Sequence, residues 1–322
     1  MKNLIFSLNA TLPIFFMMIL GYLLRRIKLL GTDFIKDANS LNYKVTLPVL
    51  LFMDISSADI TSQWDTTYVL FCATATTIYF IVIWGITRLF MKDKSMVGAF
   101  VQASFRSSAA VLGVAFIQNM YGNAGMAPLM IIGTVPLFNI YSVIVLTFEA
   151  NSQSVQDGRR DKLKASIINI CKNPIILSIL AGILFSLLPI QLPFILNKTL
   201  SSIASLATPL ALLALGAGFE GKKAIKKIKP TLIASSIKLI LIPAAFIPLA
   251  CTFGFHEEKL VALLIMLASP TTVSCYIMAD NMDNDSILTS SIIVATTFLG
   301  AFTLTGWIFL LRTLGLITNT IA

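Results

Sequence analysis

Apolar stretches of close to membrane-spanning length recur along the whole chain and are separated by short polar loops. A hydrocarbon core about 30 Å thick takes about 20 helical residues to cross. The pattern therefore predicts an all-α integral membrane protein with ten transmembrane helices, of which the second and ninth are the least apolar. The spans are predicted at residues 4–24, 38–56, 67–90, 96–119, 126–149, 169–189, 197–219, 230–253, 259–279 and 286–311.

The composition agrees, since 57% of the 322 residues are hydrophobic and only 12% are charged. A net charge of +9 could suggest a nucleic-acid partner, but the basic residues lie in short loops between spans instead of on one soluble face. Most of them fall in loops on one side, which the positive-inside rule makes cytoplasmic. We therefore expect a multi-pass protein of the cell inner (plasma) membrane, with both termini outside and no nucleic acid as partner.

A polar segment at residues 151–165 divides the predicted spans five and five. An odd number of spans in each half makes the halves insert in opposite orientations, an arrangement typical of secondary transporters. We predict a first five-helix repeat at 1–150, a cytoplasmic linker at 151–165 and a second, inverted repeat at 166–322. Two pairs of identical residues are consistent with this repeat. Gly182 follows Gly21 by 161 residues, and Pro209 follows Pro48 by the same number.

Spans four and nine occupy equivalent places in the two halves and are rich in small and polar residues. Span nine contains Pro270 within LASPTTVSCYIMADN, and span four reads QASFRSSAAVLGVAF from Gln102 to Phe116. Broken helices persist in a membrane only where protein or a polar cavity satisfies the freed backbone. Paired breaks predict a midplane site whose half-helix N-termini favour an anion. The alternative is that small residues such as Gly113 only permit close helix packing.

Two positive charges fall inside predicted spans and require an explanation. Arg106 could bind a carboxylate or extend to the cytoplasmic interface, and Lys238 could extend likewise, hold a scaffold contact or replace a coupling cation. Asn139 could contact substrate or join two helices. All acidic residues lie in loops or near span ends, which disfavours proton exchange through a buried carboxylate pair. Sodium could bind carbonyl oxygens with the hydroxyls of Thr271 or Thr272.

Several of these segments resemble the auxin efflux carrier family, which includes the plant PIN proteins and bacterial malate or malonate permeases. The similar segments are NSLNYKVTLPVLLF with Pro48, LATPLALLALGAGF with Pro209, PLFNIYSVIVLTFE with Asn139, and span nine. The resemblance implies a scaffold domain, a transport domain built on crossing helices, and an elevator-like motion. It departs in span four, where Ser108 and Ala115 stand in place of the family's usual asparagine and proline.

From these observations we expect a secondary transporter, not an enzyme, that moves a small organic anion such as a mono- or dicarboxylate by alternating access. A sodium-coupled organic anion symporter of the bile-acid type and a passive anion channel are the alternatives. The expected partners are the anion, the lipid bilayer, H⁺ or Na⁺ as coupling ion and a second copy in a homodimer, without a cofactor or bound metal except sodium at Thr271 and Thr272. Pro48, Pro209 and Gly113 are expected to shape the helices. The substrate-binding candidates are Arg106, Ser107, Ser108, Ala109, Asn139, Pro270, Thr271, Thr272 and Ser274.

Overall fold

The computed structural model describes residues 2–56, 64–109, 117, 120–121, 125–150, 167–188 and 192–317, with the backbone alone at 2–11. Within these ranges every regular element is helical. The α-helices are α1 (Lys2–Arg26), α2 (Thr32–Leu41), α3 (Leu47–Ser56), α4 (Thr66–Phe90), α5 (Val97–Phe105), α6 (Ala127–Phe148), α7 (Pro174–Leu187), α8 (Phe194–Gly218), α9 (Gly221–Lys226), α10 (Ile228–Ser236), α11 (Ile242–Thr252), α12 (Glu257–Ala268), α13 (Ser274–Asn281) and α14 (Ser286–Thr313). Two π-helical turns, Asn42–Thr46 and Ile237–Leu241, join α2 to α3 and α10 to α11.

Five of the described helical segments are long and apolar enough to cross a membrane. They are Thr66–Phe90, Ala127–Phe148, Phe194–Gly218, Ile228–Thr252 and Ser286–Thr313, which coincide with the third, fifth, seventh, eighth and tenth predicted spans. The sixth predicted span contains the shorter apolar helix Pro174–Leu187. The regular structure of the described residues is thus all-helical and includes five candidate membrane-crossing helices, whereas the count of ten spans stays a prediction.

Spans four and nine are both interrupted, as the sequence predicts. Helix α5 ends at Phe105, where Arg106 turns extended with φ −82° and ψ 130°. Helix α12 ends at Ala268, and five residues separate it from α13. The two interruptions touch, since the Ser108 amide donates a 2.9 Å hydrogen bond to the Pro270 carbonyl. The break in span four therefore falls before residues 113 and 115, which lie outside the described residues.

Prolines explain both π-helical turns. Pro48 follows the turn Asn42–Thr46 by two residues, and Pro243 follows the turn Ile237–Leu241 in the same way. A proline lacks an amide donor and its ring collides with the carbonyl four residues earlier, so a helix adjusts just before it. In the second turn the Leu239 carbonyl accepts a 3.0 Å hydrogen bond from the Trp307 indole. The adjustment widens the helix at the position that carries Lys238.

Glycines allow pairs of helices to pack with their backbones in contact. Helix α1 packs against α8, where a Cβ on Gly21 would lie 2.3 Å from the Leu213 carbonyl oxygen, and one on Gly216 would lie 1.9 Å from that of Met18. Helix α7 packs against α3, where a Cβ on Gly182 would lie 3.2 Å from the Phe52 carbonyl oxygen. Small residues at interfaces are how membrane helices gain dispersion contacts in the absence of a hydrophobic driving force.

The starts of α4 and α12 are tied together at the edge of the apolar region. The Asp65 carboxylate caps α4 by accepting from the Tyr68 amide at 3.0 Å, and it pairs with the Lys259 ammonium at 2.6 Å. These contacts, led by the hydrogen bond from Lys259, lower the pKa of Asp65. The ion pair ties the start of α12 to the start of α4.

We expect Gly216→Ala to separate α1 from α8, because the added methyl group meets a backbone carbonyl that cannot rotate away. Its melting temperature in detergent should fall by about 5 °C or more, as for other overpacked interfaces. Gly85→Ala is the matched control, since nothing lies within 4 Å of its added Cβ. Equal melting temperatures for the two variants would contradict the close α1–α8 contact.

Gly300→Ala should disturb the second interruption specifically. A Cβ on Gly300 would lie 2.7 Å from Cγ of Pro270, and the proline ring is too rigid to move aside. We expect lower thermal stability and reduced transport from this variant, whereas Gly306→Ala on the same helix has open space and should behave like the unmodified protein. If the Gly300 variant matches Gly306→Ala in both assays, Pro270 does not pack on α14 as described.

Candidate functional site

A cavity of about 120 Å³ lies where the two interruptions meet. Its walls come from α1, the segment around α3, α6, α8, both interruptions and α14. Most of its wall is apolar, and the polar part includes Arg106 and hydroxyl residues of the two interruptions. The lining residues include Asn42, Leu51, Asp54, Arg106, Ser107, Ser108, Phe138, Asn139, Thr208, Pro270, Thr271, Thr272, Ser274 and Thr297.

Arg106 is the charged group at the centre of the crossing. Only 4% of the residue is exposed, so it does not extend to the membrane surface. One guanidinium nitrogen donates to Oδ1 of Asn139 at 2.6 Å, and the other donates to Sδ of Met278 at 2.8 Å and to Oγ of Ser142 at 3.4 Å. These acceptors are neutral, and no described carboxylate forms an ion pair with Arg106.

Asn139 orients the guanidinium group. Its Nδ2 donates to the Val135 carbonyl at 2.8 Å, one turn earlier on α6, which directs Oδ1 toward Arg106. The fully buried amide is thus engaged at both ends. Asn139 consequently acts on the cavity through the position of Arg106, in addition to forming part of the wall.

Ser107 and Lys238 contact each other at the same interruption. The Ser107 hydroxyl donates to the Met266 carbonyl and accepts from the Lys238 ammonium. Lys238 also donates to the Leu267 carbonyl at 3.0 Å and to the Phe105 carbonyl at 3.4 Å. It is fully buried, so of the three alternatives for Lys238 the extension of its stem to the interface is wrong, because the π-helical turn directs it into the crossing.

The hydroxyls after Pro270 divide into two groups. Thr271 is buried and its hydroxyl donates to the Ala103 carbonyl at 2.7 Å, while its amide donates to Oγ1 of Thr296 at 3.1 Å. Thr272 and Ser274 are only half-buried, and their hydroxyl oxygens lie 3.2 Å apart at the start of α13. The Thr271 donor is therefore engaged with backbone, whereas the Thr272 and Ser274 hydroxyls face the cavity.

The remaining predicted positions lie around this cavity. Ser108 is half-buried and lines it, whereas Ala109 is buried just behind and is not part of the lining. Pro48 is buried in α3, and α8 continues through Pro209, close to which the Ala207 carbonyl accepts from Nδ2 of Asn42 at 2.8 Å. Gly113 lies outside the described residues.

Sequence reasoning missed several lining residues. Asp54 was placed near a span end, yet the helical segment through α3 brings it to the cavity. Asn42 and Thr208 stand in the segments that carry the family resemblance, and that location was the available signal for them. Thr297 on α14 had no signal, since nothing in a single sequence distinguishes it from the neighbouring threonines.

A second cavity, of about 650 Å³, lies beyond α13 on the side of the basic loops. Tyr276 and Asp280 line it, together with Arg25 and Lys36. Asn39 binds two of these residues, since its Nδ2 donates to Oδ2 of Asp280 at 2.6 Å and to the Tyr276 hydroxyl at 3.4 Å. The short helix α13 thus lies between the two cavities, since Ser274 and Ile277 line the first and Tyr276 and Asp280 line the second.

No group of three or more His, Cys, Asp or Glu side chains suited to a metal ion occurs within the described ranges. Oxygen atoms that a sodium ion could use are present at the interruptions, but the Thr271 hydroxyl is directed at the Ala103 carbonyl. The cationic group held by such oxygens in this structure is the ammonium of Lys238.

Comparison with known proteins identifies a family and several transporters that are similar to this chain. The family model described as "Membrane transport protein" matches residues 6–308. The chain is 23% identical over 313 residues to "Uncharacterized transporter YfdV" of Escherichia coli (strain K12), covering 96% of this chain and 99% of that protein. It is 25% identical over 313 residues to "Putative malonate transporter" of Rhizobium meliloti (strain 1021), covering 94% and 95%. An archaeal relative, "Uncharacterized transporter" of Methanothermobacter thermautotrophicus, is 20% identical over 304 residues, covering 94% and 97%.

The family match extends over nearly the whole chain, and the relatives named above are described as transporters over nearly their whole length. The interrupted helices, the buried arginine and the apolar spans are consistent with that description. The chain therefore belongs to the membrane transport protein family, the auxin efflux carrier family of the sequence resemblance, and is a multi-pass membrane transporter and not an enzyme.

Proposed function

We propose that this transporter moves a small organic anion, a mono- or dicarboxylate such as malonate or malate, by alternating access at the cavity between the two interruptions. The observation that carries the proposal is Arg106, a buried guanidinium group in the cavity wall with only neutral described partners. An isolated charge in a bilayer is costly and is retained where it has a function. A carboxylate substrate would supply the missing counter-charge, with bidentate hydrogen bonds available to it.

Neutral donors around Arg106 complete the proposed anion site. Helix α13 begins at Ser274, which lines the cavity, so the positive end of the helix dipole lies there. The Cys275 and Tyr276 amides donate to the Thr272 and Val273 carbonyls at 3.1 and 3.0 Å. The half-buried hydroxyls of Thr272 and Ser274 lie at the same end. An anion there would meet a guanidinium group, hydroxyls and a helix N-terminus, and half-helix N-termini point at anionic substrate groups in transporters with discontinuous helices.

The size of the cavity favours a small substrate. Pockets for drug-sized ligands usually enclose about 300 to 1,000 Å³, and this one encloses about 120 Å³. Its apolar walls, which include Leu51 and Phe138, suit a short carbon chain between polar ends. The relative from Rhizobium meliloti is named as a malonate transporter at 25% identity, which supports a short dicarboxylate for this chain.

We also propose that the transporter consists of two inverted five-helix repeats. The contact of Gly21 with the Leu213 carbonyl has a counterpart in the contact of Gly182 with the Phe52 carbonyl. Gly182 lies 161 residues after Gly21, and Leu213 lies 161 residues after Phe52, so a single offset exchanges the two contacts. This correspondence supports a scaffold formed around α1, α3, α7 and α8, against which the interrupted helices would move in an elevator-like manner.

The two cavities on either side of α13 support access from both sides of the membrane. Movement of α13 relative to Asn39 would break the hydrogen bonds to Tyr276 and Asp280 and connect the site to the wider cavity. That cavity carries Arg25 and Lys36, which the positive-inside rule places at the cytoplasm. An inner-membrane location, external termini and a homodimer complete the proposal and stay predictions.

Counterflow in proteoliposomes tests the function. We expect saturable uptake of radiolabelled malonate or malate against a preloaded unlabelled carboxylate, because one site exchanges its occupants. Arg106→Gln should lower uptake about 10- to 100-fold, the effect of losing a charge-assisted hydrogen bond. Arg88→Gln is the control, since that side chain is 65% exposed. Uptake without counterflow would indicate a channel, and full activity of Arg106→Gln would overturn the proposed site.

Substitutions in the two groups of hydroxyls should have different effects, one on the concentration for half-maximal uptake and the other on the melting temperature. Thr272→Val with Ser274→Ala removes the donors that face the cavity, so the concentration for half-maximal uptake should rise about tenfold while the melting temperature stays close to that of the unmodified protein. Thr271→Val removes the hydroxyl on the Ala103 carbonyl and should mainly lower the melting temperature. The reverse assignment of effects would place the substrate on Thr271.

A further inference from the structure

Two helix C-termini meet inside the protein. Helix α5 ends at Phe105 and helix α12 at Ala268, on the two sides of the contact between Ser108 and Pro270. The last carbonyl groups of any α-helix lack partners within it, and they carry the negative end of the helix dipole. Two such ends together form a site that attracts a cation.

The ammonium of Lys238 occupies that site. It donates one hydrogen bond to the carbonyl oxygen of Phe105, the last residue of α5, at 3.4 Å. It donates another to the carbonyl oxygen of Leu267, in the last turn of α12, at 3.0 Å. Its third contact is Oγ of Ser107, which in turn donates to the Met266 carbonyl. The three hydrogen-bond donors of an ammonium group are thus matched by three oxygen atoms.

No described acidic side chain forms an ion pair with Lys238. Its charge is offset by carbonyl oxygens, a hydroxyl and the two helix ends, although it is fully buried. In transporters with discontinuous helices, unwound carbonyl groups and half-helix C-terminal ends are the ligands that coordinate a coupling Na⁺ or H⁺. The oxygen environment of this ammonium is that of a cation site.

We propose that Lys238 is a tethered cation that occupies the position a sodium ion would need at the crossing, so that the crossing is assembled without sodium. The π-helical turn Ile237–Leu241 directs the side chain there. With the Lys238 ammonium in this position, a coupling sodium ion has no place at the crossing, which excludes the sodium-coupled alternative for this site. Only its transport measurement rests on the proposed function, since its stability measurements need no substrate.

The test begins with the unmodified protein in detergent, melted in sodium chloride and in choline chloride at equal ionic strength. We expect the same melting temperature in both salts, because the cation position is filled. Uptake of labelled malonate into proteoliposomes should likewise be equal in the two salts. A clear sodium-dependent rise in either quantity overturns the proposal, and this comparison requires no variant.

Lys238→Ala supplies the second part of the test. The melting temperature should fall by about 5 °C or more, since two helix ends lose their cation. Propylammonium, which replaces the missing atoms, should restore roughly half of the loss, and sodium should now stabilise the variant as a ligand of the vacated oxygens. The uncharged 1-propanol should restore nothing, and Lys238→Met should not respond to any of the three.

Lys44→Ala is the matched control, because Lys44 also lies in a π-helical turn but is exposed. It should melt like the unmodified protein in every salt. Equal rescue of Lys238→Ala by propanol and propylammonium, or a Lys238→Met variant as stable and active as the unmodified protein, would show that the site needs volume and not charge. Absence of malonate transport with intact propylammonium rescue would count against the proposed function alone.

Discussion

A backbone group freed from a helix inside a bilayer finds no water, so it must be satisfied by protein. In this transporter the two interruptions satisfy each other. The Thr271 hydroxyl closes the last turn of α5 at the Ala103 carbonyl, and the Ser107 hydroxyl closes the last turn of α12 at the Met266 carbonyl. The Ser108 amide joins the two segments through the Pro270 carbonyl. This reciprocal closure is what lets broken helices persist, and the polar groups that remain are the ones available to a substrate.

Two buried cations act at the crossing in different ways. Lys238, a compact point charge, lies where the negative helix ends converge and is surrounded by oxygen acceptors. Arg106 carries a planar guanidinium group, its backbone lies at the interruption, and Asn139 orients the group toward the cavity. Because the first charge is offset by helix ends and the second is not, only the second calls for an anionic ligand. The division accounts for both the stability of the crossing and the substrate class that we propose.

The positions of the two helix breaks could be predicted from the sequence, but the hydrogen bonds between them could not. Pro270 removes a backbone donor, so the break in span nine followed from one residue. The break in span four followed from its serines and its equivalent place, although no proline stands there. One hydroxyl donates to a carbonyl group at a helix end and another faces the cavity. The register of two segments far apart in the chain decides which hydroxyl does which. Thr271 and Thr272 are adjacent and chemically identical, and only their packing separates them.

Burial of charge was likewise beyond a single sequence. Lys238 lies about two turns into its span, where a flexible stem could have extended to the interface, and the π-helical turn that redirects it arises from Pro243. Asp54 lies near a helix end and yet reaches the cavity, because α3 packs beside the crossing. Positions of this kind require distances between helices, which hydropathy and motif spacing do not contain.

An electron cryo-microscopy map of the purified transporter with and without malonate would show whether the two interruptions meet at an anion site that contains Arg106. We expect helices that end at Phe105 and Ala268, an Arg106 side chain within the crossing, and added density for a small anion within hydrogen-bond distance of its guanidinium group. A continuous helix through residues 106–108, or bound malonate remote from Arg106, would contradict it.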